Sequence, residues 1–337
     1  MAVTNNKMKK ILALLLPAVI ILTVFSYRFY SRALNYVLDP NSTDRVTISI
    51  EQGDSASDVA DKLYEKELIK SPSVFKFYLS QHGLDGKIKA GRFVIKQNYT
   101  LSEIADTIVS GKSSEMAVTL LEGWTVKQIA EYLEGEGLTT ADAFMECAKA
   151  CEFEGKYLPT GYVEGYLYPD TYFVDPNSYS DQAFIQRLIN TFESKLDDEV
   201  FAGIAKNKRT LEEVVIMASI VEREERARAE RPTVAGILWN RFDQNSGLGA
   251  DATVLYALGR TKGGLTYEDL QIDSPYNTRK YAGLPPTPIC NPNITSILAA
   301  ANPTDTDYWY YLHDSEGAVH YAKTLDEHNV NKARYIN

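Results

Sequence analysis

Apolar residues run without a charge from Ile11 to Phe25, directly behind Lys7, Lys9 and Lys10. Extended through Ser26 and Tyr27, the run reaches the lower edge of the ~17–25 residues needed to span a bilayer, and Tyr27, Arg28 and Tyr30 suit the far interface. A cleaved signal peptide is the competing reading, but Ser31-Arg32-Ala33 makes a poor cleavage site. The pattern predicts a signal anchor over residues 1–27, with its basic tip in the cytoplasm and the rest of the chain extracytoplasmic at the cell membrane.

After a linker over 28–44 the period changes. Val46, Ile48 and Ile50 alternate as a strand does. A hydroxyl residue then precedes apolar positions four, five and eight residues on: Ser55 with Val59, Ala60 and Leu63. The spacing returns at Thr100 with Ile104, Ala105 and Ile108, and at Thr125 with Ile129, Ala130 and Leu133. Each reads as a capped amphipathic helix. Leu211–Ala227 is apolar almost all round from Val214 to Val221, as a helix inside a core would be. Near the end, Tyr308–His313 and Ala318–Lys323 flank Asp314-Ser315-Glu316-Gly317 as a hairpin, and a closing helix starts near Leu325. Helices and short strands mixed in this way give an α+β class.

Composition narrows the function. The 337 residues allow about two folded units. A net charge of −10 argues against a polyanion-binding surface, so nucleic acid is not an expected partner. Cys147 and Cys151, four apart in a helical pattern, read as small core residues, with Cys290 left over and no disulfide framework. The four histidines, among them His320 and His328, make no metal-ligand spacing, so neither a metal nor a cofactor is expected.

Two stretches carry candidate chemistry. Glu164–Tyr172 gathers aromatic rings and two acids, Glu164, Tyr168 and Asp170 among them, which suits either a sugar-binding groove or a buried strand and turn. On a wheel of about 100° per residue, Glu222 continues the centre of the buried stripe of Leu211–Ala227. Glu224 points about 160° away from it and Glu225 about 60°. A carboxyl withdrawn from water there has a raised pKa, as a general acid near neutral pH requires. The alternative is a solvated charge run in which Glu222 pairs with Arg226. Asp251, ahead of the short run Ala252–Leu258, is either a helix cap or a second catalytic acid.

Gly-Asp-Ser-x-x-x-Val-Ala-x-x-Leu at Gly53–Leu63, following a strand, resembles the LysM module, a β-α-α-β unit that binds N-acetylglucosamine polymers. The ordered series Ala218–Glu224, Arg231-Pro232, Asn240-Arg241-Phe242, Gly249–Tyr256, Ser274–Thr278 and Ala282–Pro292 resembles the YceG-like family, membrane-anchored endolytic murein transglycosylases of bacteria. The likeness runs from the anchor to His320 and His328-Asn329. It implies that the catalytic glutamate falls on Glu222, and Arg223 departs from a lysine common in relatives. It also implies cleavage of the MurNAc-β-1,4-GlcNAc bond within nascent strands to 1,6-anhydroMurNAc ends, with one glutamate serving as acid and then base. Expected partners are peptidoglycan strands, the cytoplasmic membrane, and proteins of wall synthesis and division. Glu224, Asn240, Arg241, Asp251, Thr253, Tyr256, Tyr276, Asn277, Thr278, Glu164, Tyr168, Asp170 and His320 are the expected substrate-binding groups, with Gly283–Pro286 a stiff groove loop. The resulting organisation is a LysM-like module over 45–112, a connecting segment over 113–159 and a catalytic domain over 160–337. Two alternatives are a non-catalytic peptidoglycan-binding scaffold and a two-carboxylate muramidase.

Overall fold

The computed structural model of the chain describes residues 2–42, 44–111 and 116–336, with side chains from Pro17 onward save Ala18. Helix α1 spans Ala2–Leu34. The side chains of residues 11–16 and of Ala18 in the Ile11–Phe25 run therefore lie outside those described, and among the described residues no helix is long and apolar enough to cross a membrane. The chain divides into two compact units, Met1–Ala117 with Phe173–Ser178, and Val118–Tyr172 with Tyr179–Asn337.

In the first unit, β1 (Arg45–Ile50), α2 (Ala56–Glu65), α3 (Pro72–Gln81) and β2 (Gly91–Lys96) follow in β-α-α-β order, and α4 (Leu101–Ser110) closes the run. β1 and β2 pair antiparallel, with Ile48 opposite Phe93. The sequence signals act as expected. Ser55 and Thr100 each form a reciprocal capping box, which satisfies helix-end N–H groups that would otherwise lack partners. The apolar positions that follow, Val59, Ala60, Leu63, Ile104, Ala105 and Ile108, are fully buried with Phe75 and Phe93. The last turn of α1 joins this core through Ala33, while Tyr30 meets Phe77 edge-on.

The boundary between the units falls inside β3 (Met116–Thr119) and β4 (Thr171–Val174). The second unit is mainly helical: α5 (Val126–Gly135), α6 (Ala141–Ala150), α7 (Asp181–Lys195), α8 (Asp198–Asn207), α9 (Leu211–Glu224), α10 (Arg231–Asp243), α11 (Asp251–Ala257) and α12 (Ile294–Ala301). A hairpin of β5 (Tyr310–His313) and β6 (Val319–Ala322) and a last helix, α13 (Leu325–Tyr335), end the chain where the sequence pattern placed them. α9 is the central rod. It is buried without a break from Val214 to Val221 and packs against α8, α10, α11 and α12. The approach of the Glu164–Tyr172 segment to this core needs a glycine. At Gly165 φ is +91° and a Cβ would fall 2.4 Å from Pro288, so no other residue fits.

One cysteine expectation is corrected. Cys147 and Cys151 form a disulfide, with Cα atoms 4.8 Å apart. α6 stops at Ala150, and Cys151 turns into extended backbone, so the pair is not on one helical face. Cys290 is free and buried.

Candidate active site

α9 ends at Glu224, three residues beyond the apolar run Val214–Val221, because Glu225 takes an extended conformation. The three acids at this end consequently meet different surroundings. Glu222 is locked in an ion pair. Its Oε1 lies 2.8 Å from Arg231 Nη2, its Oε2 accepts from Asn293 N–H at 3.0 Å, and both charged side chains are 4% exposed. Arg231, not Arg226, is its partner. Glu225 is 1% exposed and bonds His313 Nε2 at 2.9 Å and Ala227 N–H at 2.7 Å.

Glu224 forms part of the wall of a cleft of about 680 Å³. Its Oε1 accepts from Ala252 N–H at 3.2 Å, at the start of α11, and its Oε2 accepts from Tyr311 Oη at 3.0 Å. Burial raises its pKa; the bonds from Ala252 and Tyr311 oppose that rise, and the nearby Asp251 adds to it. Arg241 and Asp251 line the same cleft. The Arg241 guanidinium is held by the Trp309 carbonyl at 2.6 and 2.9 Å and by the Leu248 carbonyl, so it is a fixed positive wall. Asp251 pairs with Arg279 at 2.6 Å near the surface. It is not the cap of α11, whose N-cap position is Ala250.

A second cavity of about 460 Å³ lies in the same unit and is lined by Glu164, Thr125 and Tyr256. Glu164 is 9% exposed and accepts from Val126 N–H at 3.1 Å and from Asn291 Nδ2 at 3.2 Å. Burial outweighs these bonds and carries its pKa up to about 8. Tyr256 Oη approaches it at 3.4 Å.

The other expected groove residues are occupied within the fold. Asn240 Nδ2 donates to the Thr306 carbonyl at 2.8 Å. Thr253 and Thr278 are buried and bond each other at 2.8 Å. Asn277, also buried, donates to the Leu270 and Ile272 carbonyls at 3.0 Å, so Tyr276-Asn277-Thr278 is a pinned turn. Tyr276 Oη meets Thr287 Oγ1 at 2.6 Å. Tyr168 is buried, Asp170 faces Lys195 at 3.5 Å, and His320 pairs with Asp314 at 2.8 Å while stacking on Tyr335. Among the described residues no group of three or more His, Cys, Asp or Glu could hold a metal ion.

The sequence reading passed over Tyr311, His313 and the roles of Arg231 and Asn291. A signal existed for Arg231. A cation on the first turn of a helix opposes the helix dipole, a placement that a neighbouring acid relieves. Asn291 carries none, yet its Oδ1 accepts from the N–H groups of both Gly165 and Leu167 at 2.9 Å.

A carboxyl whose pKa burial raises, set in an open polar cleft with cationic and aromatic walls, has the character of a general acid for a polar substrate. The YceG-like family matches residues 48–334, and the chain belongs to that family. It is 34% identical over 325 residues to an endolytic murein transglycosylase of Bacillus subtilis, covering 91% of this chain and 89% of the relative. A relative of the same description in Streptococcus pneumoniae is 28% identical over 93% of this chain, which spans 62% of that protein's length. A crystal structure of a YceG-like protein from Listeria monocytogenes matches 86% of this chain and 99% of its own at TM-score 0.59, with 30% identity.

Proposed function

We infer that the chain is an endolytic murein transglycosylase: it cleaves the MurNAc-β-1,4-GlcNAc bond of peptidoglycan without water. The observation that carries the site assignment is the environment of Glu224, a buried carboxyl with raised pKa that opens onto the larger cleft. Glu224 donates its proton to the glycosidic oxygen as the C1–O4 bond breaks. The resulting carboxylate takes the proton of the C6 hydroxyl as O6 bonds to C1, which closes the anhydro ring and restores the acid. Glu222 is less suited to this cycle, because its oxygens are committed to Arg231 and to the Asn293 N–H. One observation favours a muramidase as the second reading: Asp251 lines the same cleft. Digesting glycan strands in H₂¹⁸O decides between them. Unlabelled anhydro ends support the transglycosylase, whereas labelled reducing ends make water the nucleophile and promote Asp251.

We further propose that α1 tethers the enzyme to the cytoplasmic membrane, with both folded units outside and wall-synthesis and division proteins as neighbours. Val19 to Leu22, Val24 and Phe25 are each at least half exposed, an apolar surface that water does not favour. The β-α-α-β order and capped helices of the first unit support a LysM-like glycan-binding role.

A further inference from the structure

Strand β5 sends alternate side chains to one face. Two of them meet consecutive acids at the end of α9: Tyr311 Oη donates to Glu224 at 3.0 Å, and His313 Nε2 meets Glu225 at 2.9 Å. Glu225 does not depend on the hairpin for its place. Its other oxygen accepts from Ala227 N–H at 2.7 Å, and its carbonyl accepts from Arg231 Nε at 3.0 Å. It is thus a fixed post, 1% exposed, to which the hairpin is attached. From β6, Tyr321 sits opposite Tyr311 and donates to Glu230 at 2.7 Å, a second attachment.

We propose that His313 is a positioning residue for the reaction: its bond to Glu225 holds β5 where Tyr311 delivers its hydroxyl to Glu224. The proposal rests on Glu224 being the acid. A hydroxyl donor favours the ionised carboxyl, so Tyr311 limits how far burial raises the Glu224 pKa, and a charged His313 acts in the same direction through space. The groups that act on His313 are Glu225, Glu224 and Arg226, and it shares the cleft wall with Asp251, Arg279, His328 and Lys332. The bond to Glu225 raises the His313 pKa above 6.5. For Glu225 burial acts upward, but the bonds from His313 and Ala227 carry it below 4.5. The pair is therefore charged between these two values. It is lost as pH rises through the raised histidine pKa or falls through the depressed glutamate pKa.

The test is kcat and KM against pH, on soluble glycan strands, for the full-length detergent-solubilised enzyme and for Tyr311→Phe, His313→Gln, His313→Ala and Glu224→Gln, with a melting curve for each. The alkaline limb of kcat should move upward by about half a unit or more in Tyr311→Phe and His313→Gln. kcat should fall about tenfold in His313→Ala at little change in KM, as expected of a reacting group slightly misplaced. His313→Gln, which keeps a donor to Glu225, should recover part of that loss. An unmoved limb in both Tyr311→Phe and His313→Gln, with Glu224→Gln inactive, overturns the role of His313 and leaves the acid in place. An active Glu224→Gln removes the reading beneath it.

Discussion

Glu222→Gln and Glu224→Gln are chemically the same change two residues apart, and the structure gives them opposite consequences. Glutamine at 222 removes one charge from a pair whose members are both 4% exposed, leaving Arg231 buried without its counter-ion. Such a loss costs about 3–5 kcal/mol. The lower end applies, because Arg231 keeps Thr295 Oγ1 at 2.8 Å, Asn293 Oδ1 at 3.2 Å and the Glu225 carbonyl at 3.0 Å. For a unit of this size ~3 kcal/mol lowers the melting temperature by about 6–12 °C. At 224 a neutral amide replaces a carboxyl that burial already biases toward its neutral form, so stability should barely change. Turnover should instead fall by about 10²–10⁴. Thermal melts and anhydro-end release, assayed well below both melting temperatures, separate the two effects. If Glu222→Gln melts within about 2 °C of the unaltered protein yet releases no ends, while Glu224→Gln stays active, the argument from the ion pair is refuted.

Glu164 gives a pH prediction. Its folded pKa of about 8 lies above the ordinary 4.5, so the folded state holds a proton that the unfolded chain releases. Stability should decline as pH rises between those values, and Glu164→Gln should flatten the decline in denaturant titrations run across that range. Reduction of the Cys147–Cys151 bond, or Cys147→Ser with Cys151→Ser, should cost at most about 2 kcal/mol, because the closed loop is very short. Paired melts with and without reductant measure it. Full-length protein should sediment with membranes and leave them in detergent rather than in high salt; release by salt alone would count against an anchor in α1.

How far the sequence reached depended on how local the determinants were. The helices opened by Ser55, Thr100 and Thr125 are legible because cap and buried stripe lie within about nine residues, and the structure buries every position that the spacing singled out. The hairpin at Tyr310–Ala322 was legible for the same reason. The acids of α9 were not. A helical wheel treats the side away from the core as water, and on that assumption Glu224 is the outward residue. Here that side is covered by Tyr311, 87 positions further on, and the inward side at Glu222 is taken by Arg231. Neither covering follows from the period of α9. The Cys147–Cys151 bond was hidden in a comparable way, by a helix that stops at Ala150.

The hairpin brings Tyr311 and His313 against Glu224, the proposed acid, and its neighbour Glu225. The helices packed on α9 all lie within residues up to Ala301, whereas the groups that meet Glu224 and Glu225 come later, at Tyr311 and His313. Synthesis from the N-terminus therefore delivers α9 and the helices packed on it before the side chains that meet its terminal acids. A chain clipped within the exposed turn at Glu316-Gly317 would lose the connection that holds β5 to β6 while keeping its core. An enzyme acting on peptidoglycan thus receives the side chains around its proposed acid last, and a single cut in this exposed turn loosens them first.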